Sequence, residues 1–385
     1  MGGIVAYDQR VVAANSFPAR RREYTDGWSE VAVRALLDPS GRAQGVDLVE
    51  FLGSQAAVEG VRRRWEAEIA FHLATPMPMA DTPVVDLFSG CGGLSLGFEI
   101  AGFKVLAGID NWEAAIETYG ANLDHDALVS DLEDVDATLK ILERYRDLNG
   151  RTPGIIGGPP CQDFSLAGKR IGEKRAALTE KFAETVIEAE APFFVMENVP
   201  NALKFAVYQN ALAQLRRAGF KIRVITLNAV EWGVPQRRRR LFAFGTRSER
   251  VSDWIFEDLS RDPDGRILTV REWFGKSAVP DYYYRHPRSY QRRGIFSVDE
   301  PSPTIRGVNR PIPPEYQDHP GNPVRPDFPS LRALTAGERA QIQSFPEGFR
   351  LIGPRSTIEQ MVGNAVPVRL ATEVARSVAR GLKSW

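Results

Sequence analysis

A cysteine that follows a short apolar run is the residue in this sequence best placed to act as a nucleophile. Ile155 and Ile156 lead through two glycines and two prolines to Cys161, and each proline fixes the backbone just before the sulfur. A thiol that leaves a strand through a rigid turn into a polar loop suits nucleophilic chemistry. An isolated cysteine is more often a small buried residue, so the neighbours of Cys161 decide between these interpretations.

A glutamate stands at the end of another predicted strand. Glu197 follows the apolar run Phe193–Met196. The strand ends of an open parallel sheet share one crevice, which would bring Glu197 close to Cys161. A lone glutamate at such a place is usually solvated, but a glutamate and a cysteine at neighbouring strand ends form a candidate site.

Four consecutive arginines, Arg237–Arg240, precede and enter the predicted strand Leu241–Gly245. Strand alternation puts Arg238 and Arg240 on one face and the other two on the opposite face. One pair could point into the crevice while the other meets phosphate or solvent. A basic edge that discourages aggregation is the alternative.

A glycine turn and two aspartates have the types and spacing of a nucleoside site. Ser89–Gly93 follows the buried run Val84–Phe88, and a strand that ends in such a turn lets the backbone approach a ligand closely. Asp110 ends the next predicted strand and suits a pair of ribose hydroxyls. Asp131 follows a third strand, where it could accept a hydrogen bond from an adenine amine. The turn lacks the GxGxxG spacing of a dinucleotide site.

The composition is that of a folded protein with two or three domains: 385 residues, 43% hydrophobic and 25% charged. Lys+Arg and Asp+Glu are both 49, so a polyanionic partner must be met by a local patch. Two cysteines argue against a disulfide framework, and the four histidines have no metal-ligand spacing, which predicts no structural zinc. No apolar run reaches roughly 18 residues. No signal peptide is evident, and we expect a cytoplasmic protein.

Strands alternate with helices from Pro83 to about Thr246, which predicts an α/β fold with a doubly wound, mostly parallel sheet. The following segment is rich in proline, arginine, tyrosine and aspartate, with short strand signals and little helix. The chain divides by pattern into an N-terminal helical extension (1–81), the alternating unit (82–246), the strand- and loop-rich unit (247–330) and a C-terminal segment (331–385).

The N-terminal extension carries two helical patterns, Ser29–Leu37 and Val46–Leu73. Arg62-Arg63-Arg64 lies on the second. We interpret these arginines as a solvated helix face, with nucleic-acid contact as the alternative.

Taken in order, these motifs resemble the DNA cytosine-5 methyltransferases. The resemblance covers about residues 83–246 and 331–370. It implies a Rossmann-like methyltransferase domain, a target-recognition domain at 247–330, and cytosine in duplex DNA as acceptor. It also implies S-adenosylmethionine as donor, S-adenosylhomocysteine as product, and no metal. The motifs that carry it are Asp86–Gly93, Pro159–Gln162 with Phe164 and Ser165, Glu197–Val199, Gln236–Arg240 and Gly363-Asn364.

The resemblance gives each catalytic residue a role. Cys161 adds to C6 of the cytosine, and Glu197 protonates or hydrogen-bonds N3. Arg240 holds O2, with Arg238 close by, and Asn198 orients the exocyclic amine or the loop.

A base inside a duplex is out of reach of such a site, so the target cytosine must be flipped out. The segment Gln162–Arg175 is the predicted lid, and Gly168 and Gly172 would help it move.

Two sets of binding residues follow. The cofactor set is carried over by position, and the arginines of residues 282–298 in the DNA set are proposed because basic residues interleaved with aromatic ones suit DNA contact. The cofactor set is Phe88, Ser89, Gly90, Cys91, Gly93, Asp110, Asn111, Asp131, Leu132, Pro160, Leu178, Asn364 and Val366. The DNA set is Gln162, Ser165, Gln236, Arg285, Arg288, Arg292, Arg293 and Arg306. Asn364 can reach the first strand only if the C-terminal segment folds back onto it. Asn111 stands where the family often has a bulky residue, and Trp112 beside it could substitute.

Three hypotheses follow from the sequence. The first is a DNA cytosine-5 methyltransferase, acting as a monomer, either paired with a restriction or other defence system or solitary. The second is an RNA cytosine-5 methyltransferase, which the long Arg/Tyr-rich unit disfavours. The third is a catalytically silent DNA-binding regulator, which the joint presence of Cys161, Glu197, Arg238 and Arg240 disfavours.

Overall fold

A seven-stranded sheet lies at the centre of the computed structural model, which describes residues 42–43, 46–47, 61–74, 81–160, 169–261, 266–275 and 279–383. The strands are β1 (Arg42–Ala43), β2 (Val46–Asp47), β3 (Val84–Leu87), β4 (Val105–Asp110), β5 (Asp126–Val129), β6 (Gly154–Gly157), β7 (Phe193–Asn198), β8 (Lys221–Asn228), β9 (Gln236–Arg237), β10 (Arg239–Thr246), β11 (Tyr282–Tyr284), β12 (Ile295–Ser297), β13 (Ser302–Pro303) and β14 (Arg332–Ala333). The helices are α1 (Val61–Ala74), α2 (Gly93–Ile100), α3 (Glu113–Asn122), α4 (Val135–Glu143), α5 (Lys169–Glu188), α6 (Ala206–Arg217), α7 (Glu249–Ser260), α8 (Val270–Phe274), α9 (Ala336–Ile342), α10 (Arg355–Asn364) and α11 (Val368–Lys383).

The central sheet has the strand order β5-β4-β3-β6-β7-β10-β8. Its strands run parallel except β10, which is antiparallel to both of its neighbours. The predicted α/β fold with a doubly wound, mostly parallel sheet is therefore confirmed. From β3 the chain first adds β4 and β5 on one side and then returns to add β6 and β7 on the other. Such a reversal opens a crevice at the carboxyl ends of β3 and β6, where ligands of open α/β sheets bind.

Both faces of the sheet are covered, which explains why its inner strands are continuous apolar runs rather than alternating ones. Phe242 packs with residues of α2 and α11 on one face, and Leu241 packs with residues of α5 and α6 on the other. A Cβ on Gly97 of α2 would lie 2.4 Å from the Ala371 Cβ of α11. The two helices approach this closely because residue 97 has no side chain. The C-terminal segment thereby folds back onto α2, the helix that follows strand β3.

Helix α7 lies in a region where the sequence predicted little helix. Ser248 caps its N-terminus by accepting a hydrogen bond from the Val251 amide. Its buried residues include Val251, Ile255 and Leu259, a fourfold spacing that could have revealed it. Asp258 accepts a hydrogen bond from Ser377 of α11 at 2.8 Å, and α7 also contacts strands β8 and β10. Although α7 lies within the predicted recognition unit, residues 247–330, it packs with the central sheet.

A small three-stranded sheet, in the order β12-β11-β14, forms the core of the recognition unit. Strand β14 comes from beyond residue 330 and pairs in parallel with β11. A second small sheet joins β13 to β9, just before the arginine strand. The predicted recognition unit, residues 247–330, therefore pairs with the C-terminal segment through β14 and with the alternating unit, residues 82–246, through β9.

The N-terminal pattern was correct only in part. The predicted helix Ser29–Leu37 lies outside the described residues. Helix α1 spans Val61–Ala74, but Val46–Asp47 forms strand β2, so a helix beginning at Val46 was wrong. Arg62 is only 4% exposed, which also overturns the solvated-face interpretation for that arginine. None of the helices described is both long and apolar enough to cross a membrane.

Candidate active site

An ion pair between Glu197 and Arg240 occupies the carboxyl end of β7. Glu197 is paired in register with Phe242, so its side chain emerges on the same face as Arg240, two residues away on β10. Arg240 Nε lies 2.8 Å from Glu197 Oε1, and both side chains are about nine-tenths buried. Burial raises the pKa of Glu197, although the neighbouring guanidinium groups oppose this shift. The site therefore holds a carboxyl group that can carry a proton and is fixed in place by a cation.

The segment that leads to Cys161 runs beside this ion pair. A Cβ on Gly158 would lie 3.1 Å from Glu197 Oε2. Asn198 Nδ2 donates to the Pro159 carbonyl at 3.1 Å. Cys161 itself, like Gln162 and Ser165, lies outside the described residues. The end of β7 nevertheless contacts the two residues that precede Pro160, which is the adjacency predicted from the strand ends.

We expect Gly158→Ala to lower the methyl-transfer rate by about 10-fold to 100-fold, because the new methyl group would push Glu197 out of line and small misplacements are costly in catalysis. The melting temperature should change little. The matched control is Gly337→Ala, since a Cβ there meets nothing within 4 Å. Turnover measured on duplex DNA checks the prediction, and a Gly158→Ala rate equal to that of the control would contradict it.

Arg238 is buried, and its charge acts on Glu197, where it lowers the pKa of that carboxyl group. Its assignment as a catalytic residue stays a prediction. Its side chain is 0% exposed. Nη1 donates to the Ile305 carbonyl at 2.7 Å. Nη2 donates to the carbonyls of Gly363 at 2.9 Å and Ala365 at 2.8 Å. Arg238 therefore ties the arginine strand to residues 247–330 and to the C-terminal segment through Nη1 and Nη2, whereas its buried Nε has no hydrogen-bond partner among the described residues.

Gln236 is likewise part of this junction and not of a DNA-binding surface. It is 0% exposed, its Nε2 donates to Gln343 Oε1 at 3.2 Å, and its Oε1 accepts from the Ile305 amide at 2.8 Å. The predicted alternation is visible in the burial of the run, because Arg237 and Arg239 are exposed whereas Arg238 is buried.

The glycine turn after β3 is held open by Asp110. Its Oδ2 accepts from the Gly90 amide and its Oδ1 from the Trp112 amide, both at 2.9 Å. Gly90 has φ of 54°, a conformation that favours glycine, and a Cβ built there meets nothing within 4 Å. Phe88 also has positive φ, at 60°, and is half-buried. The turn thus presents free backbone and an aromatic ring next to a fixed carboxylate, which fits a nucleoside cofactor.

The remaining cofactor residues fall into two groups. Those with an accessible side chain at these strand ends or on α5 and α10 are Asn111, Asp131, Pro160, Leu178 and Asn364. Those that are buried are Ser89, Cys91, Gly93, Leu132 and Val366. Trp112, beside the exposed Asn111, is half-buried and packs against the core.

The side chains of Cys91 and Leu132 belong to the hydrophobic core, and the assignment of these residues to the cofactor site stays a prediction. Cys91 is 2% exposed and Leu132 is 4% exposed. Burial raises the pKa of the Cys91 thiol to about 12, so this sulfur is not a second nucleophile. Gly93 and Val366 pack on each other, since a Cβ on Gly93 would lie 2.5 Å from the Val366 carbonyl oxygen. They hold the C-terminal segment against the turn.

A buried aspartate beneath the turn was missed as a titrating group. Asp86 is 0% exposed and accepts from Ser95 Oγ at 2.6 Å. Burial raises its pKa to about 8, and the nearby carboxylates of Asp110 and Glu197 add to the shift. The Ser95 hydroxyl in turn accepts from Tyr119 Oη at 3.0 Å. Asp86 is therefore mostly protonated at pH 7.

This proton predicts a pH-dependent stability. Between pH 5 and 8 the folded chain keeps the Asp86 proton that the unfolded chain has released. From this group alone, the free energy of unfolding should fall by up to about 1.4 kcal/mol per pH unit. We expect Asp86→Asn to flatten that slope and to gain stability over the parent as the pH rises. Urea unfolding at pH 5.5, 6.5 and 7.5 measures how the free energy of unfolding changes with pH, and Asp131→Asn, at an exposed position, is the control. Parallel pH curves for parent and Asp86→Asn would contradict the prediction.

Among the predicted DNA-contacting arginines, Arg288 and Arg292 are exposed and Arg285 and Arg306 are half-buried. Arg285 donates to the Thr304 carbonyl at 2.9 Å. Burial, together with the positive charges of Arg306 and Arg288, lowers the pKa of Arg285 to about 10. These crowded cations would gain from an anion such as a backbone phosphate.

The Arg293 side chain bonds to other parts of the protein, which corrects its assignment as a DNA-contacting residue. Its guanidinium binds both carboxylate oxygens of Glu300, its Nε donates to the Ile295 carbonyl at 2.9 Å, and it stacks over the Phe296 ring.

The predicted lid is also partly reassigned. Residues 169–175 belong to helix α5, and the rest of the proposed segment lies outside the described residues. No cluster of metal-binding side chains occurs in the described part of the chain.

Residues 82–380 match the family described as C-5 cytosine-specific DNA methylase. The chain is 47% identical over 296 residues to the type II methyltransferase M.HgiDI of Herpetosiphon aurantiacus, covering 76% of this chain and 93% of that protein. It is 46% identical over 296 residues to the type II methyltransferase M.HindV of Haemophilus influenzae, covering 76% and 95%. Its fold is similar to that of the S. pombe Dnmt2 methyltransferase, with a TM-score of 0.57, 16% identity and coverage of 79% and 99%. With a match that spans most of its length, the chain belongs to the C-5 cytosine-specific DNA methylases.

Proposed function

We propose that this DNA cytosine-5 methyltransferase transfers the methyl group of S-adenosylmethionine to a cytosine flipped out of duplex DNA, through a covalent adduct with Cys161. The observation that carries the proposal is the buried Glu197–Arg240 ion pair beside Gly158, three residues before the cysteine. A carboxyl group and a guanidinium at the strand edge that leads towards Cys161 match what thiol addition to a pyrimidine requires.

The side chains divide the work as follows. The Cys161 thiolate attacks C6, which forms the S–C6 bond and moves the ring electrons so that C5 becomes nucleophilic. Glu197 supplies a proton or hydrogen bond to N3, and its raised pKa suits that donation. Arg240 keeps Glu197 in place and stabilises charge that develops on O2. After methylation, loss of the C5 proton re-forms the double bond and expels the thiolate.

S-adenosylmethionine, when bound, supplies an electrophilic methyl group on a positively charged sulfur. Asp110 is the residue best placed to bind its ribose hydroxyls, and the open backbone at Gly90 would accept close approach. Phe88, at the same turn, offers its ring to the positively charged sulfur. S-adenosylhomocysteine is the expected product.

Duplex DNA is the expected acceptor, bound with its phosphates against Arg285, Arg288, Arg292 and Arg306. Phosphate contacts position a protein on DNA, and groove contacts then read the sequence. The similarity to type II methyltransferases supports a restriction-modification setting, and a solitary enzyme acting as a monomer fits the same chemistry.

Expression in a methylation-free host followed by bisulfite sequencing tests the function and identifies the target sequence. We expect 5-methylcytosine at one short motif and nowhere else. Unmethylated host DNA from a well-expressed, folded protein would support a silent DNA-binding regulator instead. Methyl incorporation into transfer RNA but not duplex DNA would support an RNA methyltransferase.

A further inference from the structure

A helix that precedes the family-matched region forms part of the folded core. Helix α1 ends before residue 82, where the match begins, yet Trp65 is 1% exposed and Ile69 is 0% exposed. Both lie in one hydrophobic cluster with Trp273 of α8 and Phe345 of the C-terminal segment. Helix α1 therefore sits where the catalytic unit, the recognition unit and the C-terminal segment meet.

Two tryptophans from different parts of the chain hold the end of helix α9. Trp65 Nε1 donates to the Ser344 carbonyl at 2.8 Å, and Trp273 Nε1 donates to the Gln341 carbonyl at 3.0 Å. The Gln341 carbonyl also accepts from the Ser344 amide at 2.8 Å, and Ser344 lies two residues beyond α9, so the indole groups add to the backbone hydrogen bonds of this turn. Ser344 also has φ of 60°, which a residue with a side chain rarely adopts. The tryptophans thus add two side-chain hydrogen bonds to a turn that also has its own, from the Phe345 amide to the Ala340 carbonyl at 3.1 Å.

Hydrogen bonds connect this turn to the segment that carries Arg306. Gln343, next to Ser344, accepts from Gln236 Nε2 at 3.2 Å. Gln236 in turn accepts from the Ile305 amide at 2.8 Å. Ile305 immediately precedes Arg306, one of the arginines proposed to contact DNA. A displacement of α1 would be transmitted through these contacts to Arg306.

A buried ion pair gives α1 a second attachment. Arg62 Nη1 lies 2.9 Å from Glu66 Oε1 on the same helix and 2.8 Å from Glu347 Oε2 in the C-terminal segment. The Arg62 guanidinium also lies 5.7 Å from the centre of the Phe274 ring on α8. One side chain therefore contacts both the C-terminal segment and the recognition unit.

We propose that helix α1 is a brace that sets the orientation of the target-recognition domain, with Trp65 and Arg62 as positioning residues for DNA binding. The inference rests on the proposed DNA recognition by that domain. None of the contacts named above involves a residue assigned to the cofactor or the cytosine. Loosening the brace should therefore weaken recognition of the target while cofactor binding and the chemical step persist.

The test uses Trp65→Phe and Arg62→Met in the full chain. Phenylalanine keeps most of the buried ring but cannot donate to Ser344, and methionine keeps the bulk of arginine without its charge. Arg62→Met leaves the buried Glu66 carboxylate with Arg63, at 3.5 Å, as its one cation among the described residues and is therefore destabilising, so Trp65→Phe carries the test if Arg62→Met does not fold. The matched control is Arg64→Met, which removes the same charge from an exposed position on the same helix.

For both variants we expect KM and Kd for the target duplex to rise by about tenfold. The ratio between the Kd for unrelated duplex and the Kd for target duplex should therefore become smaller. Turnover at saturating DNA, and Kd for S-adenosylhomocysteine, should stay within about twofold of the parent. Arg62→Lys, which keeps the charge, should recover part of the affinity. A lower melting temperature with unchanged KM for the target would overturn the inference. A parent enzyme that neither binds nor methylates duplex DNA would overturn the proposed function itself, and this inference with it.

Discussion

Cys161→Ala should abolish methyl transfer to duplex DNA, with a loss of at least about 10⁴-fold, because no other described thiol can replace the nucleophile. The sequence has one other cysteine, and Cys91 is buried with its pKa raised to about 12. The Cys161→Ala protein should fold normally and still bind the target duplex in a gel-shift assay.

Cys91→Ala is the matched control, and it should keep its turnover while losing some stability to the cavity it leaves. A duplex that carries 5-fluorocytosine at the target position sharpens the test. Fluorine at C5 cannot leave as a proton does, so the adduct should persist as a DNA-linked band on a denaturing gel. The band should form with the parent and with Cys91→Ala, and not with Cys161→Ala. Substantial turnover by Cys161→Ala, or a band that depends on Cys91, would refute the assignment.

Glu197→Gln should lower turnover by about 10²-fold to 10⁴-fold, the range typical of a lost general acid. Glutamine has nearly the same shape as glutamate, so the backbone at the end of β7 should be unchanged. Arg240 would then lose its charged partner at 2.8 Å, which makes the two sites interdependent. The double variant Glu197→Gln, Arg240→Met should therefore be less impaired than the product of the two single effects.

The pH dependence gives a second measurement on Glu197. Its pKa is raised by burial, so the proton-bearing form is present at low pH and is lost as the pH rises through that pKa. Turnover of the parent should therefore carry a limb that falls with rising pH, and Glu197→Gln should lack that limb. Exposed Glu188→Gln is the control. An unchanged limb in Glu197→Gln would assign the titration to another group.

The sequence was a good guide to the sheet and to the residues at its carboxyl edge. Runs such as Phe193–Met196 are apolar on both faces, and that pattern is specific for a strand covered by helices on each side. Glu197 and Asp110 could then be placed because strand ends of a parallel sheet converge. This inference needs only local periodicity and a topological rule.

The roles of the arginines were harder to predict. Alternation correctly separated Arg238 and Arg240 from their neighbours, but it could not tell which of the two ties distant segments together. That depends on the carbonyls of Ile305 and Gly363, which are 67 and 125 residues away along the chain. Gln236 was misassigned for the same reason, since its partner Gln343 lies 107 residues away. Helix α7 was missed where a Pro- and Arg-rich composition masked a regular fourfold spacing.

The buried guanidinium of Arg238 limits how the specificity of this enzyme can be re-engineered. A recognition unit transplanted from a relative would have to present a main-chain oxygen where Ile305 now does, or leave the buried Nη1 donor of Arg238 without its acceptor. Residue 363 would have to stay glycine, because a Cβ there would lie 2.1 Å from the Gly307 nitrogen, and a Cβ at position 307 would lie 3.2 Å from Gln360 Cα. Workable graft boundaries should therefore fall between residue 266 and Ser302, so that the host retains its own Ile305–Gly307.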